Sequence, residues 1–536
     1  MSDFGDARFG SARWAEDEEI ARAGLFGKTG FPIGYSGNRL MRLDSDSPGL
    51  IVAGAGAGKS RDVLMEAIIR CAGQRLWVLD PRGELAAVTI HNFAAHGAYA
   101  YCWNPVKLHA HILPSHRLNP LDILDEADPR FHADCGFIAA ALIPFSGSSN
   151  GHYFELRARQ WLELLIKSLV EQHGKASFPM LRDVLNAIEG DALFWDAQLR
   201  AMEDSKHGDI RAGAAEIWHK QKDVPKEFGA ILGTIKGQLG FLNDPTLMDS
   251  LDEPDFSLAD LVNPHQVASL FVNVPMEYVS IWSSLLRVLF TVSRLYKGRA
   301  PDAPRLTMIV DEAGQMGRFE SLLSAFTFGR GEGVRTFAVF QDVGQIIRNF
   351  DAATLQSFIG SAQLRMFFGV RDYQTAQLVS NMLGNQSLRY DDPLQQEGAR
   401  RQQQQALSRF LFEGDTSAAF DYAHYRKASQ HESMMQRALM TPDEILAMPE
   451  DRMIEFISGL DLPPVYAAKK PYFEQRDLNG KWLPNPFHPP ADRVKLPGLI
   501  GSKWARVIAM DLPAHLAHFP QHQSGRVHYV EGFEPS

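Results

Sequence analysis

The 536-residue chain is poor in cysteine, in long apolar runs and in surplus positive charge. Its three cysteines, Cys71, Cys102 and Cys135, are far apart and form no metal-ligand spacing, which excludes a disulfide framework and suits a reducing compartment. They read as small buried hydrophobes. The longest apolar stretches, "CGFIAAALIPF" and "SSLLRVLFTV", fall short of the roughly 18–20 residues a spanning helix needs, and the polar start "MSDFGDARFGSARWAEDEEIARAG" has no signal-peptide core. The expectation is a chain with no transmembrane segment, cytoplasmic or peripheral. A net charge of −10 argues against a generally adhesive nucleic-acid binder, but leaves room for contacts along a local pore lining. From Ala467 to Ser536 bases outnumber acids, nine to six, so the tail is mildly basic within an acidic chain. No internal repeat is present.

What the chain does contain is a length sufficient for two to four domains and an ordinary globular composition, 45% hydrophobic and 22% charged. The first part alternates strand and helix patterns: "GLIVA" (49–53), a helical stretch over 60–73, "RLWVLD" (75–80) and "AYAYCW" (98–103). This order predicts a mostly parallel sheet built from crossover units. Residues 119–244 carry only helical periodicity and predict an all-α insertion. Strand patterns then resume at 268–275, 305–312, 336–341 and 363–370, with a long helix over 279–296 and another over 373–384 closed by Gly384. "TPDEILAMP" has the Thr cap, first-turn proline and acids of a helix start, and "DRMIEFISG" reads as a last strand. The expected domains are an N-terminal segment (1–48) packed on an α/β domain (49–118 and 245–472), the helical insertion (119–244) and a C-terminal extension (473–536) of unassigned role. Residues 386–436, polar and Gln-rich, read as a linker.

Chemistry concentrates at residues 53–60, "AGAGAGKS". Gly54, Ala55, Gly56, Ala57 and Gly58 lack bulk, so backbone N–H groups can wrap a phosphate at the start of a helix. Lys59 would reach the β- and γ-phosphates of ATP and the Ser60 hydroxyl would ligate Mg2+. Such a loop needs a metal-holding acid on a neighbouring strand, and "LTMIVDE" supplies Asp311 for Mg2+ and Glu312 to polarise a water. Gln341 falls at a strand end, either as a sensor of the γ-phosphate or as an ordinary amide. Arg330 follows a helix, either as an arginine finger for a neighbouring subunit or as a salt-bridged surface residue. Asp80-Pro81, with Glu84 beyond, reads as a structural turn on the ligand side.

The order of these motifs resembles the TraG-like coupling ATPases of type IV secretion systems. The resemblance runs over residues 9–472 through "GSARWA", "AGAGAGKS", "LDPRGELAAVT", "WNPV", "LNPLDIL", "FELRARQWLELL", "SLFVNVP", "IVDEAGQMGRFE", "GRGEGVRTFAVFQDVGQI", "FFGVRDYQTAQLVSNMLG" and "RALMTPDEIL". It implies a RecA-like P-loop NTPase with an inserted all-α domain, a homo-hexameric ring and ATP-driven delivery of a relaxase-bound DNA strand to the secretion channel. It also implies Lys59 and Ser60 as the phosphate-loop pair, Asp311 and Glu312 as metal and catalytic acids, Gln341 as the sensor and Arg330 as the finger. Implied partners are single- or double-stranded DNA, relaxosome proteins and channel components, at the inner face of the bacterial inner membrane. Protein effectors as cargo, or a recruitment adaptor that does not translocate, are the alternatives. The chain departs from the family pattern at Gln315-Met316 and Asp342-Val343, in starting at "GSARWA" without the family's usual anchor, and in its tail beyond Tyr472.

Overall fold

A computed structural model of the protein describes residues 10–147, 151–390, 393–412, 417–428 and 433–535. Two compact units are present. One comprises the described residues of Met1–Glu16, Val370–Met448 and Pro463–Val465; the other comprises those of Asp17–Gly369, Pro449–Leu462 and Tyr466–Ser536.

The larger unit is organised on a sheet. In chain order its strands are β1 (Phe31–Ser36), β2 (Arg39–Leu43), β3 (Gly49–Ala53), β4 (Arg75–Asp80), β5 (Tyr99–Trp103), β6 (Ala268–Asn273), β7 (Leu306–Val310), β8 (Val334–Phe340) and β9 (Leu364–Phe368). Every residue of β3, β4, β6, β7 and β8 is buried. Such continuous apolar strands, rather than alternating ones, belong to a parallel sheet covered on both faces. The pairings β9–β3, β3–β8, β8–β7, β7–β4, β4–β6 and β6–β5 are all parallel. The RecA-like, mostly parallel α/β architecture expected from the sequence is therefore present.

The far edge is antiparallel and was not foreseen as such. Residues read as a packing segment form β1 and β2, a hairpin closed at Gly37-Asn38 with Ser36 opposite Arg39. Beyond the smaller unit the chain returns as β12 (Arg452–Ile457), antiparallel to β9, and β13 (Val465–Ala468), which pairs with β1. The complete order is β2-β1-β13-β12-β9-β3-β8-β7-β4-β6-β5.

Among the described residues between β5 and β6 lie six helices of twelve or more residues, from Phe131–Leu142 to Pro225–Gln238, and no strand. The helix His152–His173 buries Trp161, Leu162, Leu165, Ile166 and Leu169, the three-and-four spacing of one helical face, and stops at left-handed Gly174. Ser177 caps the next helix by accepting the Met180 N–H.

In the smaller unit, β10 (Asn385–Tyr390) pairs antiparallel with β11 (Ser433–Ala438). Between them stand helices Pro393–Phe412 and Ala418–Ala428. This corrects the reading of 386–436 as a polar linker, as far as its residues are described. Gln, Arg, Ala and Leu are all good helix formers, and polarity alone concealed that. The helix Pro442–Leu446 carries the expected cap, a reciprocal box between Thr441 and Glu444.

The C-terminal extension is also structured. β14 (Arg493–Pro497), β15 (Ser502–Asp511) and β16 (Arg526–Val530) form a separate antiparallel sheet in the larger unit. Among the described residues no helix is long and apolar enough to cross a membrane.

Candidate functional site

Sheet order builds the site. Because β3, β8, β7 and β4 are adjacent and parallel, the residues that follow them share one edge, in a row: the loop 54–60, Gln341, the pair Asp311-Glu312, and Asp80. This is the carboxyl edge where ligands bind in open α/β sheets.

The loop leaves β3 with the Gly54 N–H donating to the Phe368 carbonyl and the Ala57 N–H to that of Gly54. Among the described residues the N–H groups of Ala55, Gly56 and Gly58 make no backbone hydrogen bond. Gly58 is left-handed (φ +81°), and a Cβ there would lie 2.3 Å from Asp62 Oδ2. The position thus needs glycine both for conformation and for space. From Lys59 to Leu64 the chain forms a π-helical turn before becoming α-helical at Met65–Arg70. The sequence pattern predicts a plain helix here; π-turns of this kind recur at functional sites.

Lys59 turns toward the acids. Its Nζ is 3.0 Å from Asp311 Oδ1 and ion-paired with Glu312 Oε1. Burial opposes the charge on Lys59, but the two carboxylates outweigh it and raise its pKa. Asp311 is pushed up by burial, against the pull of Lys59. Glu312 is buried and, at φ +57°, adopts a left-handed backbone that glutamate rarely takes. Such conformations cluster at active sites. The Gln341 amide donates to Glu312 Oε2 at 2.9 Å, and its backbone N–H donates to Gln345 Oε1 at 3.0 Å. The structure therefore brings Lys59, Asp311, Glu312 and Gln341 together.

Asp80 is more than a turn residue. Its buried carboxylate accepts the Ala86 N–H at 2.8 Å and an Asn273 Nδ2 proton at 3.1 Å. Burial, with Glu84 and Asp311 nearby, pushes its pKa up to about 7. Arg330 is not at this edge. It sits exposed in the last turn of helix Glu320–Glu332, just before β8 begins, so a strand of roughly 20 Å separates it from Gln341.

Two residues escaped the sequence reading. Lys469, directly after β13, is buried with its Nζ 2.7 Å from Asp62 Oδ2 and 2.8 Å from the Ala57 carbonyl oxygen. Its only signal was a lysine following an apolar strand. Arg287, buried in helix Ser283–Arg299, donates to the carbonyls of Ala141 (2.8 Å) and Met316 (2.9 Å). It thus ties the first long insertion helix to the turn that follows Glu312. Burial, and Arg159 nearby, lower its pKa to about 10.

The edge fits a nucleotide with a divalent cation. The loop offers unengaged N–H donors, and Ser60 and Asp311 are hard oxygen ligands of the kind Mg2+ takes.

A family model for type IV secretory system conjugative DNA transfer matches residues 6–493. The type IV secretion system-coupling protein VirD4 of Bartonella henselae is 22% identical over 466 residues, covering 84% of this chain and 67% of that protein. The unbound monoclinic form of the conjugative coupling protein TrwBdeltaN70 superposes with a TM-score of 0.63 at 15% identity, covering 86% and 92% of the two chains. Plasmid coupling protein TrwB in complex with ADP and Mg2+ gives 0.61 at 16%, covering 86% and 93%. With nine-tenths of its length inside the family match, the chain belongs to the type IV secretory system conjugative DNA transfer family.

Proposed function

We propose that the chain is an ATP-driven coupling protein that moves DNA toward a type IV secretion channel. The observation that carries this reading is the convergence of Lys59, Asp311, Glu312 and Gln341 on one sheet edge beside an open phosphate loop. The nucleotide complex of TrwB, a fold neighbour, supports the same ligand here.

When bound, Mg-ATP supplies a transferable phosphoryl group and a cation that offsets its charge. The protein's part is positioning. Lys59 and the loop N–H groups hold phosphate oxygens, while Ser60 and Asp311 hold the cation. Glu312, its second oxygen fixed by Gln341, orients and deprotonates the attacking water. Gln341 and Gln345 link the acid to helix Val343–Asn349, and Arg287 links the following turn to the insertion. Both contacts are routes by which the state of the site reaches the rest of the motor. Arg330, remote from its own site, completes that of a neighbour in a hexameric ring. The ring works with relaxosome proteins at the inner face of the membrane.

Purified protein should hydrolyse ATP, and Lys59→Ala or Glu312→Gln should abolish turnover; full activity in both variants sinks the assignment. Single- or double-stranded DNA should stimulate hydrolysis in a salt-sensitive manner, because phosphate contacts release counterions. Absence of stimulation at every salt concentration overturns DNA as cargo. Mixing Arg330→Ala with Glu312→Gln subunits should restore partial activity, and failure at all ratios removes the shared-site arrangement.

A further inference from the structure

The C-terminal sheet presents a hairpin that no part of the nucleotide site uses. β14 and β15 pair from Arg493–Arg506 up to Pro497–Ser502, leaving a four-residue apex, 498–501, in which the Gly498 N–H donates to the Gly501 carbonyl at 2.8 Å. At that apex Leu499 is 86% and Ile500 98% exposed. These are near the limit of what a side chain can expose, and they are adjacent. One face of the hairpin is packed, with Val494, Leu496 and Ala505 buried and Asn479 donating to the Pro497 carbonyl at 3.0 Å, whereas β16 pairs with residues 507–511 of β15 and leaves the apex exposed.

Behind the apex the charge has one sign. From 493 to 506 the chain carries Arg493, Lys495, Lys503 and Arg506 and no acid. On one face, cross-strand pairs place Arg493 opposite Arg506 and Lys495 opposite Trp504. Trp504 is 55% exposed, with the Arg493 guanidinium 5.2 Å from its ring centre. Among the described residues neither Lys495 nor Lys503 has a carboxylate partner. Facing the collar are Asp492, 3.9 Å from Arg493, and Glu531, which accepts the Arg506 N–H. Both lie at the base of the hairpin, away from the apex.

We propose that this hairpin docks the protein on an anionic phospholipid surface. Leu499 and Ile500 enter the acyl boundary, Trp504 lies at headgroup depth, and Lys495, Lys503, Arg493 and Arg506 meet lipid phosphates. Depth is consistent: Lys495 is three residue steps from the start of the apex at Gly498, about 10 Å, and apolar elements of this kind reach roughly 5–10 Å into the interface. Indole rings favour that level and basic side chains favour anionic headgroups. A convex two-residue tip inside a uniformly basic collar needs no matching pocket, which favours a lipid surface over a protein partner. The hairpin begins where the family match ends, at 493.

The test is flotation of the full chain, without nucleotide, on vesicles of phosphatidylethanolamine with phosphatidylglycerol and on vesicles of phosphatidylcholine alone. The protein should float with the anionic vesicles and far less with the neutral ones, with binding weakening as salt rises. The double variant Leu499→Ser/Ile500→Ser should lose affinity about tenfold or more, and each of Lys495→Gln and Lys503→Gln about fivefold. All four side chains are outside the core, so unchanged thermal unfolding separates lost docking from lost fold. Depth has its own readout: brominated lipid should quench a fraction of the tryptophan fluorescence that disappears in Trp504→Phe. No flotation of the wild type, or equal flotation of the tip variant, overturns the proposal and leaves the tip to a protein partner. Because nucleotide is absent throughout, neither result bears on hydrolysis.

Discussion

Lys469 Nζ lies 2.7 Å from Asp62 Oδ2 and 2.8 Å from the carbonyl oxygen of Ala57, so the phosphate loop is held by a residue 412 positions downstream. The contact sets more than distance. In a planar trans peptide the carbonyl and the next N–H point opposite ways, so fixing the Ala57 oxygen outward aims the Gly58 N–H into the loop. Removing Lys469 leaves Asp62 buried with, among the described residues, Arg61 as its remaining ion-pair partner. Lys469→Met should therefore lower stability by about 3–5 kcal/mol, the range for breaking a buried pair. Lys469→Met/Asp62→Asn should recover part of that loss. Urea unfolding measures both.

Gly314 bounds the turn after Glu312. A Cβ there would lie 2.2 Å from Gln345 Oε1, the atom that receives the Gln341 N–H. Gly314→Ala should displace Gln345 and with it Gln341, lowering kcat for ATP more than tenfold while costing about 1–3 kcal/mol of stability. Gly314→Ala/Gln345→Ala should regain the stability but not the turnover, which a melt and a steady-state assay distinguish.

Asp80 gives a pH signature. Its folded pKa, about 7, is above the ordinary aspartate value of 3.8. Between those values the folded state keeps a proton that the unfolded state has released, so this group's contribution to stability falls as pH rises from about 4 to 7 and is flat beyond. The full swing is on the order of 4 kcal/mol. Asp80→Asn removes it. The variant should gain on the wild type between about pH 5 and pH 8, and equal urea midpoints for the pair at both values would refute this assignment.

Glu455 on β12 is buried, and among the described residues neither of its oxygens has a hydrogen-bond partner. Burial holds its carboxyl well above the usual range. A buried polar group without partners costs about 1–3 kcal/mol. Glu455→Met, similar in volume, should raise stability at neutral pH by an amount in that range, read from the shift in urea midpoint.

Legibility in the sequence followed the range of the interaction. The loop 54–60, Asp311, Glu312 and Gln341 were visible because each sits at the end of an apolar strand, and parallel order then places them side by side. The π-turn at Lys59 and the backbone of Glu312 were not, since neither has a compositional mark. Lys469 and Arg287 act through contacts to residues far away in the chain, and a single sequence carries no trace of them. β1 and β2 had a signal, Gly37-Asn38 between apolar runs, that the dominant pattern downstream obscured. The helices within 386–436 were missed because polarity was weighted above helix propensity.

The antiparallel edge imposes an order of assembly during synthesis. Among the described residues the β1–β2 hairpin joins the rest of the sheet through β13, and the lysine that steadies the phosphate loop follows β13 immediately. At ribosomal speeds of about 5–20 residues per second, 412 residues take roughly 20–80 s. For that interval a nascent chain exposes an unpaired N-terminal hairpin and an unbraced loop. The nucleotide edge is thus braced only when nearly the whole chain has been made, so a half-made chain lacks a finished phosphate loop.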